Sequence, residues 1–175
     1  MLTELSALSE ISLLWQTEDE TRQFAARLAA SMLSLPASNS TFITLEGDLG
    51  AGKTTFVRHL LQAMGVTGRI KSPTYTVVES YAIVRPAQPH VPQNLWHFDF
   101  YRFNDPHEWE EAGFRDIFAN PGYKLAEWPE KVAAEIPMAD IAILIVANLD
   151  ESRRVTVRAQ TPLGQQLVRD LTLSN

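Results

Sequence analysis

Gly47-Asp48-Leu49-Gly50-Ala51-Gly52-Lys53-Thr54-Thr55 decides the fold. The stretch matches the pattern of Gly, four residues, then Gly-Lys-Thr, and its flanks give that match meaning. Thr41 to Glu46, before it, alternates and carries β-branched residues as a strand does. Thr55 to Met64, after it, sets Phe56, Leu60, Leu61 and Met64 at helical spacing. Strand, loop and helix therefore come in the order that a phosphate-binding loop requires. Glycines at 47, 50 and 52 allow backbone angles and close approaches that a Cβ would block, so successive N–H groups can turn inward around phosphate oxygens. The helix starting near Lys53 adds its positive N-terminal end. Lys53 is expected to place its charge against the β- and γ-phosphates as a catalytic group, and the Thr54 hydroxyl to ligate a Mg²⁺ ion bridging them. Thr55 is expected beside the α-phosphate. Asp48, Leu49, Gly50, Ala51 and Gly52 complete the expected nucleotide-binding loop. The alternative is a glycine-rich turn with a chance lysine.

The 175 residues are read as a single domain, 1–175, large enough to bury a full core without covalent help. Cysteine is absent, which excludes disulfides and thiolate metal sites and fits a reducing compartment. No apolar run approaches membrane-span length, and the N-terminus has no basic region before an apolar segment. A cytoplasmic protein without membrane contact is expected. The net charge of −6 argues against a broad basic surface for nucleic acid. Arg58, His59, Arg69 and Lys71 form either a local patch or solvated charges around a helix end. If RNA is involved, a partner holds most of it.

Along the rest of the chain, Met1 to Leu14 has no firm period and is compatible with a short helix, a first strand or a frayed segment. Thr17 has the form of a helix N-cap, with Glu18, Asp19 and Glu20 in the first turn. Phe24, Leu28, Met32 and Leu35 trace one face of that helix, and Pro36 stops it. Strands are expected at Tyr75 to Val84, Asn94 to Phe103, Tyr123 to Glu127, Ile141 to Val146 and Arg153 to Ala159. Pro86, Pro89 and Pro92 suggest an irregular loop over Arg85 to Gln93. Asp105 with Pro106 can open a helix that Gly113 interrupts. Trp128-Pro129 should exit extended into a helix reaching Glu135, and Leu163, Leu167, Val168 and Leu171 mark a final amphipathic helix. The alternation gives an α/β three-layer sandwich of the P-loop NTPase kind, with a mainly parallel central sheet and antiparallel additions.

Three further places carry chemistry. Lys71-Ser72-Pro73-Thr74-Tyr75-Thr76 presents hydroxyls in a segment that Pro73 keeps extended. It is either a switch that senses the γ-phosphate or a polar strand entry. Asp99, inside an aromatic run, either has the placement of a Walker B aspartate or forms a buried salt bridge with Arg102 or another basic group. Glu127 stands at the carboxyl end of a short apolar strand, where ligands gather in parallel sheets, and is either a second acid for Mg²⁺ or an exposed strand-end glutamate.

Taken together, Gly-Asp-Leu-Gly-Ala-Gly-Lys-Thr-Thr, Lys-Ser-Pro-Thr-Tyr-Thr-Val-Val-Glu, His-Phe-Asp-Phe-Tyr-Arg and Ala-Glu-Trp-Pro-Glu resemble the TsaE (YjeE) family of bacterial ATPases over roughly residues 15 to 160. The resemblance implies a factor in making threonylcarbamoyladenosine at position 37 of tRNAs that read codons beginning with A. It implies binding of ATP/ADP and Mg²⁺, slow hydrolysis alone, and stimulation by docking on the TsaB–TsaD complex, with tRNA reached only through partners. By position, Lys53 and Thr54 match the loop lysine and magnesium threonine, and Glu127 matches the magnesium-ligand glutamate. Asp99 matches the Walker B-like acid, Ser72 and Thr74 the switch-like segment with Thr74 in a catalytic role, and Trp128 a tryptophan near the nucleotide. Glu18 and Arg153 are the corresponding choices for adenine contacts. The Pro-rich insert and the first dozen residues depart from the family pattern.

Two rival readings share the loop. A P-loop small-molecule kinase would transfer phosphate to a hydroxyl instead of water, although no arginine-rich lid is evident. A non-catalytic ATP-binding scaffold would use nucleotide only to shape a docking surface.

Overall fold

The computed structural model describes residues 9–105 and 107–173. A seven-stranded sheet in the order β1-β7-β6-β2-β5-β4-β3 forms its centre. Four neighbouring strands run parallel: β4 (Gln88–Asp99), β5 (Tyr123–Glu127), β2 (Thr41–Glu46) and β6 (Ile141–Ala147). Antiparallel strands flank them, with β7 (Arg153–Ala159) and β1 (Glu10–Trp15) on one side and β3 (Val78–Arg85) on the other. This is the α/β architecture expected from the pattern. The near-continuous burial of β2 and β5 follows from being covered on both faces.

One face carries α1 (Glu18–Ser34), α2 (Lys53–Ala63) and α5 (Pro162–Leu173), whose apolar stripes merge with Ile43, Leu45, Leu125, Ile143 and Val155. Phe24, Leu28, Met32 and Leu35 are all buried, as the helical spacing requires. Trp15 stacks on Phe56 at 5.8 Å and meets Phe24 at 5.4 Å, which ties β1 to both helices. The opposite face carries the short helices α3 (His107–Glu111) and α4 (Phe114–Ala119), packed through Phe98, Phe100, Phe103, Trp109 and Phe114. Gly113, at φ 72°, separates these two helices as expected. The expected place of Pro106 lies outside the described residues.

Several local expectations are corrected. Residues 85–93 are not a loop. They form the tip of a β-hairpin, with Pro86 and Ala87 at the turn and β4 beginning at Gln88. The ladder joins Arg85 to Gln88 and then Ile83 to Gln93, so Pro89 and Pro92 fall in a bulge between register pairs. A bulge needs no ladder donor at Pro89 and Pro92, and the turn needs none at Pro86, which is why the three prolines are tolerated. The open N-terminal segment contains β1, whose partner is a strand from the far end of the chain. Strand β3 begins at Val78 instead of Tyr75, because Val77 at φ 67° breaks extended geometry. Strand β4 ends at Asp99, where the chain turns and the Asp99 carboxylate accepts the Tyr101 N–H at 3.0 Å. Trp128 does not exit extended. It is left-handed at φ 58°, and the helix after it is one 3₁₀ turn, Pro129–Val132.

Candidate active site

The loop Gly47 to Gly52 joins the carboxyl end of β2 to the N-terminus of α2. Gly47 has φ 140°, and a Cβ there would lie 2.3 Å from the Ile145 carbonyl oxygen, so no larger residue fits the turn. The N-termini of α1 and α2 differ in a telling way. Thr17 and Glu20 form a capping box at α1 and satisfy its backbone donors. Helix α2 begins from Gly52, at φ 109°, with no side-chain cap. Among the described residues no side chain caps its first N–H groups, which suits an anion.

Lys53 is buried, and its ammonium donates to the backbone carbonyls of Gly47 and, at 2.9 Å, Asp48. The same ammonium lies 4.1 Å from the centre of the Trp128 ring. Burial pushes Lys53 below the usual lysine range, while the carboxylates of Glu127, Glu130, Asp99 and Asp48 pull in the other direction. Trp128 is left-handed at φ 58° with its indole over Lys53, and Tyr101 packs against the indole at 5.0 Å.

Glu127 is 2% exposed, not a solvated strand end. Both of its carboxylate oxygens accept from the Thr54 hydroxyl at 2.9 Å. Because the threonine proton points at the carboxylate, the Oγ1 lone pairs are left for a cation. Asp99 is beside Glu127 in register and 4% exposed. Its Oδ2 accepts from the Thr74 hydroxyl at 2.8 Å, and Thr74 in turn meets Ser72 at 2.8 Å. Arg102 lies over the Tyr75 ring at 4.2 Å, so it is the Thr74 hydroxyl that faces the Asp99 carboxylate. The backbone doubles this link: Val77 donates to the Pro73 carbonyl at 2.6 Å and accepts from the Asp99 N–H at 2.9 Å. A β-branched residue held in the left-handed region stores about 1–3 kcal/mol.

Lys53, Thr54, Thr74, Asp99, Glu127 and Trp128 line one cleft of about 250 Å³. Glu18 and Arg153 line a neighbouring cleft of about 350 Å³, and Gly52 and Thr55 border both. Asp48 offers its carbonyl to Lys53, and Leu49, 76% exposed, is at the loop tip. Arg153 donates to the Ala51 carbonyl at 2.8 Å, and the Glu18 carboxylate pairs with His59 at 2.9 Å. The pairing gives His59 a local partner. Among the described residues no group of three or more His, Cys, Asp or Glu side chains could hold a metal ion. The Thr54 and Glu127 oxygens nevertheless fit Mg²⁺, which keeps several waters and takes one or two carboxylates together with phosphate oxygens.

Residues 15–155 match the family model described as threonylcarbamoyl adenosine biosynthesis protein TsaE. The chain belongs to the TsaE family. A Haemophilus influenzae TsaE, named as a tRNA threonylcarbamoyladenosine biosynthesis protein, is 40% identical over 146 residues, which are 83% of this chain and 87% of that relative. A Bacillus subtilis protein of the same name is 33% identical over 90% of this chain and 92% of its own. The crystal structure of Bacillus subtilis YdiB superposes with a TM-score of 0.72 at 27% identity, covering 94% of this chain and 95% of that one. The fold is that of a P-loop NTPase.

In this TsaE-family chain Glu18, Thr74, Asp99, Glu127, Trp128 and Arg153 line one or other of the two clefts, together with the loop residues from Leu49 to Thr55, and Ser72 meets Thr74 without lining either. The reading of the sequence missed His97, whose Nε2 meets Glu127 Oε1 at 2.8 Å. Its signal was present, because residues two apart on a strand share a face and His97 precedes Asp99 by two. Tyr101, against Trp128, had no such signal, since it lies beyond the end of β4.

Proposed function

We propose that this TsaE-family chain is a single-domain ATPase, residues 1–175, that binds ATP and Mg²⁺ and hydrolyses ATP to ADP and phosphate. Its work supports formation of threonylcarbamoyladenosine at position 37 of tRNAs reading codons that begin with A. It acts in the cytoplasm on a TsaB–TsaD-type complex and reaches tRNA only through those partners. The observation that carries this reading is the Thr54–Glu127 contact beside an uncapped α2 N-terminus, with Lys53 and Asp99 in the same cleft.

In this reading the loop amides and the start of α2 hold the β- and γ-phosphates, and Lys53 offsets their charge. When bound, Mg²⁺ supplies further positive charge between those phosphates, with Thr54 and Glu127 as its protein ligands. Asp99 orients the attacking water for in-line displacement, and Thr74, tethered to it, registers the γ-phosphate. Thr55, Glu18 and Arg153 border the space for the nucleoside. Trp128 closes the cleft over Lys53.

The cleft holding Lys53 has no arginine on its lining among the described residues. A site without such a cation supports slow turnover alone and completion by a partner. No helix among the described residues is long and apolar enough to cross a membrane. Phosphate release measured with and without purified TsaB–TsaD tests the proposal. A clear rise is expected, and an unchanged rate counts against it.

A further inference from the structure

His97 is on β4, two residues before Asp99, and is 0% exposed. Its register partner on β5 is Leu125, so Glu127 is its diagonal neighbour two residues further along that strand. Diagonal positions are within reach of long side chains, and here Nε2 lies 2.8 Å from Glu127 Oε1. A carboxylate oxygen only accepts, so the ring proton belongs on Nε2. The other ring nitrogen, Nδ1, is buried and has no hydrogen-bond partner among the described residues. The ring's one polar contact is therefore spent on Glu127, at the cost of leaving the second nitrogen unmet in the core.

The consequence falls on the carboxylate. Oε1 takes the His97 donor and shares the Thr54 hydroxyl, whereas Oε2 receives only the shared hydroxyl. With Oε1 pinned from behind, rotation about the last side-chain bond is blocked. Oε2 then has the free lone pairs on the side of Thr54 Oγ1.

We propose that His97 is a positioning residue: it donates from Nε2 to Glu127 Oε1 and so orients Oε2 beside Thr54 Oγ1 as a preformed seat for the divalent cation. This rests on reading Glu127 as a metal ligand. Residues that orient a ligating group from behind shift metal affinity and leave the rest of the site in place. Nucleotide affinity without metal is held by the loop and by Lys53, which His97 does not touch.

The test compares the parent with His97→Gln, His97→Asn and His97→Leu. Glutamine carries an N–H about as far out as Nε2, whereas the asparagine amide stops short and leucine has no donor. Binding of a non-hydrolysable ATP analogue is measured in EDTA and across a MgCl₂ titration. His97→Leu and His97→Asn are expected to raise the Mg²⁺ needed for half-maximal tightening by about 10–100-fold, with affinity in EDTA held and His97→Gln close to the parent. Equal shifts in all three variants, or EDTA affinity falling in step, would overturn the inference. If His97→Leu fails to fold by circular dichroism, the glutamine and asparagine variants still decide it, and like behaviour of those two would overturn it. A parent whose analogue binding ignores Mg²⁺ would overturn the reading of Glu127 itself, a distinct failure visible before any variant is made.

Discussion

The Thr54 hydroxyl lies 2.9 Å from each carboxylate oxygen of Glu127, a contact across 73 residues of sequence that joins the first turn of α2 to the end of β5. Glu127 is buried, and Thr54 is partly exposed in the cleft wall. The two oxygen groups act as one unit and should be tested as one. Thr54→Val keeps the side-chain shape and removes the hydroxyl, and Glu127→Gln keeps the shape and removes the charge. Each should raise the Mg²⁺ requirement for analogue binding by at least about 10-fold, and the double variant should be little worse than the worse single one. Simple additivity in a Mg²⁺ titration would show that the pair does not share a ligand.

Asp99 and Thr74 should separate turnover from binding. Asp99→Asn keeps the Thr74 and Tyr101 contacts sterically possible but removes the negative charge proposed to orient water. Phosphate release should fall by about 100-fold while analogue affinity changes little. Thr74→Val should reduce turnover less than Asp99→Asn. If Asp99→Ala and Glu127→Ala left tRNA modification intact in cells while Lys53→Ala removed nucleotide binding, the scaffold reading would replace the catalytic one.

Lys53 makes a prediction about stability without ligand. Burial holds its pKa below the ordinary lysine value, so between that lowered value and about 10.4 the folded chain binds fewer protons than the unfolded one. Stability therefore rises with pH in that window, and at lower pH the cost of burying the ammonium is fully present. Urea unfolding of the parent and of Lys53→Met, measured at intervals from neutral pH toward about pH 10, should show the difference moving in favour of the parent as pH rises. A flat difference would contradict the desolvated lysine.

The two loop glycines should respond unequally to alanine. At Gly50, φ is 80° and a Cβ would have nothing within 4 Å, so the cost is conformational, about 1 kcal/mol. At Gly47 the Cβ would also meet the Ile145 carbonyl at 2.3 Å. Gly47→Ala should lower the thermal midpoint by several degrees more than Gly50→Ala. Equal melting temperatures would mean that β6 yields to the loop.

The elements that set the fold were legible because their signals are local. Thr17, with three acids after it, marked the start of α1, and the loop between an alternating run and a helical one placed β2 and α2. What escaped depends on pairing at a distance. β1 is defined by β7, from the other end of the chain, and its polar–apolar alternation, Glu10 to Leu13, is too short to stand out. The proline tip of the β3–β4 hairpin looked irregular because a bulge relieves Pro89 and Pro92 of ladder duties, which composition does not reveal. Trp128 was misread for a similar reason: the residue before a proline favours extended backbone, yet the indole's contacts with Lys53 and Tyr101 hold it left-handed. At the site, the residue types in the loop, Asp99 and Glu127 could be named from sequence, but their partners could not. That Glu127 is buried between Thr54 and His97, and that Thr74 faces Asp99 in place of Arg102, are facts of register between β4, β5 and α2.

The most direct measurement is a crystal structure with Mg²⁺ and a non-hydrolysable ATP analogue. Thr54 Oγ1 and Glu127 Oε2 would both hold the ion beside the phosphates, with His97 still on Oε1. An ion held away from both residues, with the Thr54 hydroxyl still bonded only to Glu127, would contradict it.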